Sequence, residues 1–210
     1  MLDAGTLLAF LPAVLAIVVA PGPDTVYTVT ASLRTGRTAG LVAALGTATG
    51  VLAHTTAAVL GLSALLQTSA LAYAVVKYVG AAYLVYVGIR TLRAEGEFEF
   101  GDSVGDDRSL RQTYRAAVGI NVSNPKVAVF VLAFLPQFVP AGVGAPLQLS
   151  VLGALDAVVS LGYLGVVAVF AGRSRQLLLE TPRFGRLVRY VSGTVLLGFG
   201  LALALEERPG

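Results

Sequence analysis

The sequence predicts an all-α, polytopic membrane protein with six transmembrane helices, and three observations carry that expectation. The first is composition: of 210 residues, 56% are hydrophobic and 13% are charged, against about 25% charged in a soluble domain. So few polar groups would leave the surface of a soluble fold uncovered. The second is a set of long uncharged stretches, and the third is the placement of Lys and Arg in short segments between them. The net charge of +3 and pI near 9.4 do not point to nucleic acid, because the basic residues form no single patch interleaved with aromatics. The bilayer is the expected partner. Cysteine is absent, which excludes a disulfide framework and a thiolate metal site. Met1-Leu2-Asp3 lacks the cationic start of a secretory signal, so the first apolar run is read as part of the mature protein.

The spans follow from length. About 20 apolar residues cross a hydrocarbon core of about 30 Å as a helix. Residues 4–23 carry no charge, and neither do residues 38–76 with His54 counted neutral. The second stretch is too long for one crossing, and the polar step Gln67-Thr68-Ser69 divides it. The expected spans are 4–33, 40–66, 70–92, 116–137, 147–172 and 187–205, in a single membrane domain covering 1–210. Residues 93–115 form a charged loop with six acids. Pro136, Pro140, Gly142, Gly144 and Pro146 mark the turn after the fourth span.

Orientation is read from the basic residues. Twelve of the 15 lie in or beside loops one, three and five: Arg34, Arg37, Arg90, Arg93, Arg108, Arg111, Arg115, Arg173, Arg175, Arg183, Arg186 and Arg189. Lys77 and Lys126 fall inside spans, Arg208 lies in the tail, and loops two and four have none. The positive-inside rule puts the odd loops in the cytoplasm and both termini outside a cell membrane.

Two of the spans are interrupted. In Ala20-Pro21-Gly22-Pro23-Asp24, each proline lacks an N–H, so the carbonyls of Ile17 and Val19 lose their helical donors. In Asn124-Pro125-Lys126, Pro125 frees the carbonyl of Asn121 in the same way. A proline kink alone is a structural feature. Two breaks, one per half and each beside a charge, fit two three-helix inverted repeats with broken helices one and four and a site between them. Asp24 lies ten residues before Arg34, and Lys126 eleven after Arg115. Both are thus about 15–17 Å from the cytoplasmic edge at 1.5 Å per residue. Isolated charges at that depth cost at least ~2.5–3.5 kcal/mol each. A structural ion pair and a clamp on a zwitterion both answer that cost. Pro21, Gly22, Pro23, Asp24, Asn124, Pro125 and Lys126 are therefore the candidate substrate-binding residues.

A second polar level lies nearer the outside. His54 is 17 residues from Arg37 and Asp156 is 17 from Arg173, about 25 Å from the edge, while Lys77 lies at about 20 Å. Tyr163 follows Asp156 by seven positions, on the same helical face. His54 can equally be a packed residue. Asp156 is harder to assign to packing and can carry a proton, so Asp156, His54, Lys77 and Tyr163 form a candidate proton-coupling or polar network. Gly46-x-x-x-Gly50 suits a close helix contact.

These residues resemble a known family. Pro21-Gly22-Pro23-Asp24 is similar to the signature near the start of the LysE/RhtB amino-acid exporters. So are Lys77-Tyr78-Val79-Gly80-Ala81-Ala82-Tyr83-Leu84 leading to Gly88 and Arg90, and Asn121-Val122-Ser123-Asn124-Pro125-Lys126 through Phe134-Leu135-Pro136-Gln137-Phe138. The pair Asp156 and Tyr163 and the closing Arg186, Gly193 and Gly198 also match. The resemblance runs the length of the chain in order. It implies efflux of an amino acid or derivative, commonly coupled to inward proton movement as an antiport, and leaves the substrate open. Loop three is richer in acids than the resemblance requires.

Other classes fit less well. An intramembrane hydrolase needs a nucleophile and base, and His54 has no G-x-S-x-G elbow nearby, so no enzyme activity is expected. A cation or metal efflux protein of a related family is the alternative, with a poor ligand set for soft metals: one His, one Met and no Cys. No metal and no cofactor is expected. A pore and a sensor subunit stay open, as does the oligomeric state, a homo-oligomer included.

Overall fold

The computed structural model describes residues 3–20, 22–62, 70–93, 109–140, 144–173 and 182–205, and these are almost wholly helical. Pro21, the polar step at 67–69, the acidic stretch 94–108 and the tail from 206 lie outside the described residues. Eight α-helices occur among the described ones: α1 Ala4–Val19, α2 Pro23–Thr35, α3 Arg37–Ala57, α4 Ala70–Arg93, α5 Leu110–Val122, α6 Pro125–Val129, α7 Ala145–Arg173 and α8 Pro182–Leu205. A π turn at Ala58–Leu62 extends α3. A second π turn, Phe130–Phe134, and a 3-10 turn, Leu135–Phe138, extend α6.

Both expected breaks are present. The α1–α2 pair bends by 56° and the α5–α6 pair by 52°. In each pair the second helix starts on a proline, Pro23 or Pro125, where the missing N–H breaks no bond. Each bent pair is long and apolar enough to cross a bilayer as one broken span, and Arg37–Gly61 and Ala145–Ala171 do so as single helices. Helices α4 and α8, 24 residues each, have the length to cross at about 1.5 Å per residue. Gly36 joins α2 to α3 at φ 98°, a left-handed backbone that favours glycine.

Helix starts differ from the apolar runs in the sequence. Helix α5 begins at Leu110 rather than near 116, because Ser109 and Gln112 form a capping box. The Gln112 amide donates to Ser109 Oγ, and the Ser109 amide donates to Gln112 Oε1. Arg111 and Arg115 therefore ride on a helix and not in a loop. Helix α8 likewise begins at Pro182, ahead of the apolar run from 187. At the other end of the chain, Asp3 caps α1 by accepting from the Thr6 amide at 2.7 Å. That bond holds its carboxyl below the usual range.

Small residues set the helix contacts. Helix α3 packs against α2, α5 and α7, and a Cβ on Gly46 would lie 2.6 Å from the Tyr114 carbonyl and 2.7 Å from Ala117 Cβ. Neither neighbour can swing away. Gly46→Ala is expected to destabilise the protein by about 1–3 kcal/mol, as overpacking does, read as a lower melting temperature in detergent. Helices α4 and α8 pack on each other along their length, with Gly88, Gly193 and Gly200 at the crossing. A Cβ on Gly88 would come 2.8 Å from Leu197 Cγ, and one on Gly200 2.9 Å from the Ala81 carbonyl. The main core holds Phe10, Phe130, Phe134, Leu149, Leu152 and Leu203. Its aromatic centre joins Phe10 to Phe138 at 5.2 Å and Phe134 to Phe199 at 5.0 Å between ring centroids.

Candidate functional site

The two breaks meet. Asp24 is the second residue of α2, where the positive end of the helix dipole favours a carboxylate. Its two oxygens accept from Asn121 Nδ2 at 3.1 Å and from Asn124 Nδ2 at 2.5 Å. Asn124 caps α6, its Oδ1 accepting from the Lys126 amide at 3.0 Å. A carboxylate only accepts and an amide N–H only donates, so both ends of the Asn124 side chain have assigned orientations. Lys126 reaches the opposite way. Its Nζ donates to the carbonyls of Ile17 at 3.1 Å and Ala20 at 2.6 Å. The break in each half is thus capped by side chains from the other half.

The carbonyls that the prolines free are the ones these side chains serve. Ile17 has Lys126. Val19 has the Tyr163 hydroxyl, at a long 3.5 Å. Asn121 has His54 Nε2 at 3.2 Å, so that nitrogen carries the proton, and the Asn124 amide at 2.9 Å. An unmet carbonyl in hydrocarbon is costly, and this requirement accounts for Lys126, His54 and Tyr163 together. Asp24 and Lys126 make no ion pair with each other among the described residues. Each bonds to polar groups across the joint, and their charges act at longer range.

A cavity of about 30 Å³ opens at the joint. Asp24, Thr25, Lys126, Asn121, Asp156, Thr47 and Ser160 supply its polar lining, and Ile17, Val51 and Phe130 are among its apolar walls. That volume holds one or two waters. Asp156, on α7 and 2% exposed, accepts from Ser160 Oγ at 3.3 Å. Thr47 Oγ1 and Asn121 Oδ1 are buried with no partner, and their residues line the same space.

The sequence-predicted residues therefore divide. Asp24, Lys126 and Asp156 line the cavity. Gly22, Pro23, Asn124 and Pro125 shape the joint around it, and Pro21 is not described. His54 and Tyr163 sit behind it, on freed carbonyls. Lys77 is buried on α4 with its Nζ 5.5 Å from the Tyr78 ring, and it does not line the cavity. Thr47, Asn121 and Ser160 were not predicted as site residues. Asn121 had a signal, since it stands one turn before Asn124 in an apolar stretch. Ser160 lies one turn after Asp156. Thr47 had none beyond its place beside Gly46. A Cβ on Gly50 would come 2.4 Å from Asn121 Oδ1, so Gly50→Ala is expected to displace Asn121 and impair function more than stability. A melting curve beside a transport assay separates the two.

Comparison with known proteins finds relatives over nearly the whole chain. The family profile described as "LysE type translocator" matches residues 15–207. An uncharacterized membrane protein of Vibrio cholerae is 32% identical, over 98% of this chain and 100% of its own. One from Bacillus subtilis is 28% identical over 96% and 99%. The homoserine/homoserine lactone efflux protein of Salmonella typhimurium is 30% identical over 81% and 86%. No solved structure matches. With its two broken helices joined through Asp24, Asn124 and Lys126, the chain belongs to the LysE-type translocators, membrane transporters rather than enzymes.

Proposed function

We propose that the protein exports an amino acid or a close derivative across the cell membrane by proton antiport, binding it in the cavity between the two broken helices. The observation that carries this reading is the lining of that cavity. A zwitterion presents an ammonium and a carboxylate. Asp24 and Asp156 suit the first, and the third N–H of Lys126, beyond the two given to carbonyls, suits the second. The unpartnered Thr47 Oγ1 and Asn121 Oδ1 suit a further polar group, in keeping with the homoserine named for the Salmonella relative. A volume of about 30 Å³ is too small for an amino acid, so loading requires the halves to part. Phe130 lines the cavity and belongs to a ring cluster with Phe10, Phe134 and Phe138. Asp156 is the proposed proton carrier.

The test is export itself. Cells expressing the protein should accumulate one or a few amino acids in the medium by mass spectrometry, and proteoliposomes should show counterflow of the same compound. An unchanged medium across homoserine, threonine, leucine and the basic amino acids would remove this reading. The proposed topology has six spans and both ends outside. A reporter active only in the cytoplasm should be bright after Arg108 or Arg183 and dark after Ala145 or Gly210. A bright fusion at Gly210 contradicts it.

A further inference from the structure

The end of α1 is built like a cation site. Its helix stops at Val19, and the residue four positions after Ile17 is a proline, so the Ile17 carbonyl has no helical donor. The Ala20 carbonyl lies past the end of the helix. Both oxygens converge on one point, at 3.1 and 2.6 Å, at the negative end of a 16-residue helix dipole. Asp24 and Asp156 add two carboxylates to the same cavity. Gly22 leaves the point open, since a Cβ there would lie 3.1 Å from what now fills it. Exposed carbonyls at the end of a broken membrane helix are a recurrent way of holding a sodium ion.

What fills the point is the Lys126 ammonium, on a side chain 8% exposed. We infer that the Ile17 and Ala20 carbonyls form a monovalent-cation site that Lys126 occupies as a tethered cation, in place of one drawn from solution. An ammonium offers three N–H donors to oxygens that would otherwise coordinate a bare ion. The tether keeps the positive charge at the joint whatever the salt outside. Removing the side chain should leave a site that a small free cation can enter. This inference concerns the break itself and holds whichever solute is exported.

The experiment is cation-dependent melting and radioactive sodium binding of purified protein in detergent, at constant ionic strength. The wild type should melt at the same temperature in sodium, potassium, ammonium and choline chloride, and should bind no sodium saturably. Lys126→Ala should melt several degrees lower in choline. It should regain at least half of that loss, saturably, in ammonium or sodium. Lys126→Ser, which keeps a small polar group, goes through the same titration and replaces the alanine variant if that one does not accumulate. Variants whose melting ignores every small cation overturn the inference. So does saturable sodium binding by the wild type, which is measurable even if neither variant is recovered. None of these readouts involves export, so a failure here is distinct from a failure of the exporter reading.

Discussion

Asp24→Ala is expected to abolish export while the protein still reaches the membrane in reduced amount. Two buried amides, on Asn121 and Asn124, donate to this carboxylate. A hydrogen bond to a charged group contributes about 1.5–3 kcal/mol, which corresponds to roughly 10- to 150-fold in an equilibrium. Losing both should leave transport below one-hundredth of wild type, a rough bound on the same scale. The charge exchange Asp24→Lys with Lys126→Asp makes the argument sharper. Were the two residues an ion pair, the exchange would restore the contact. In the structure a carboxylate at 126 would face the carbonyls of Ile17 and Ala20, acceptor against acceptor. The exchanged protein is therefore expected to be unstable as well as inactive. Recovery of half the wild-type export by the double variant would return the pair to a simple structural bridge.

Asp156→Asn is expected to uncouple export from the proton gradient. The amide keeps the size of the side chain and can still accept from Ser160, so insertion and melting should change little. It cannot take up and release a proton. In proteoliposomes, gradient-driven efflux should fall at least tenfold, about 1.4 kcal/mol on a rate scale, whereas exchange of labelled for unlabelled substrate should persist. A variant that still moves protons with substrate at the normal rate shifts the carrier role to Asp24.

The parts of this architecture that chemistry makes obligatory were legible in the sequence. A proline has no N–H wherever it stands, so the freed carbonyls of Ile17, Val19 and Asn121 could be named in advance, and each has a partner. Depth counted in residues brought Asp24 and Lys126 to one level because helices rise uniformly. What counting residues left open was direction. Whether Lys126 points at Asp24 or past it, to α1, depends on how the halves are rotated about each other. The same limit hid Thr47 and Asn121, whose contribution is the way they face across the joint. Lys77 shows the converse: counting residues grouped it with the polar network, but α4 holds it away from the cavity. The early start of α5 was written in Ser109 and Gln112, a polar signal that an apolar count passes over.

The pairing of α4 with α8 bears on how the chain is made. Gly88 meets Leu197 and the Gly193 carbonyl, so the two sides of this crossing are about 100 residues apart in the order of synthesis. At about 5–20 residues per second, α4 waits on the order of 5–20 s in the bilayer before its partner is translated. During that interval the groove at Gly88 stands open to lipid or to another nascent chain, and a ribosome stalled before Pro182 would leave it so. Chains truncated before α8 should be cleared faster than full-length chains carrying Asp24→Ala, in which the pair can still close.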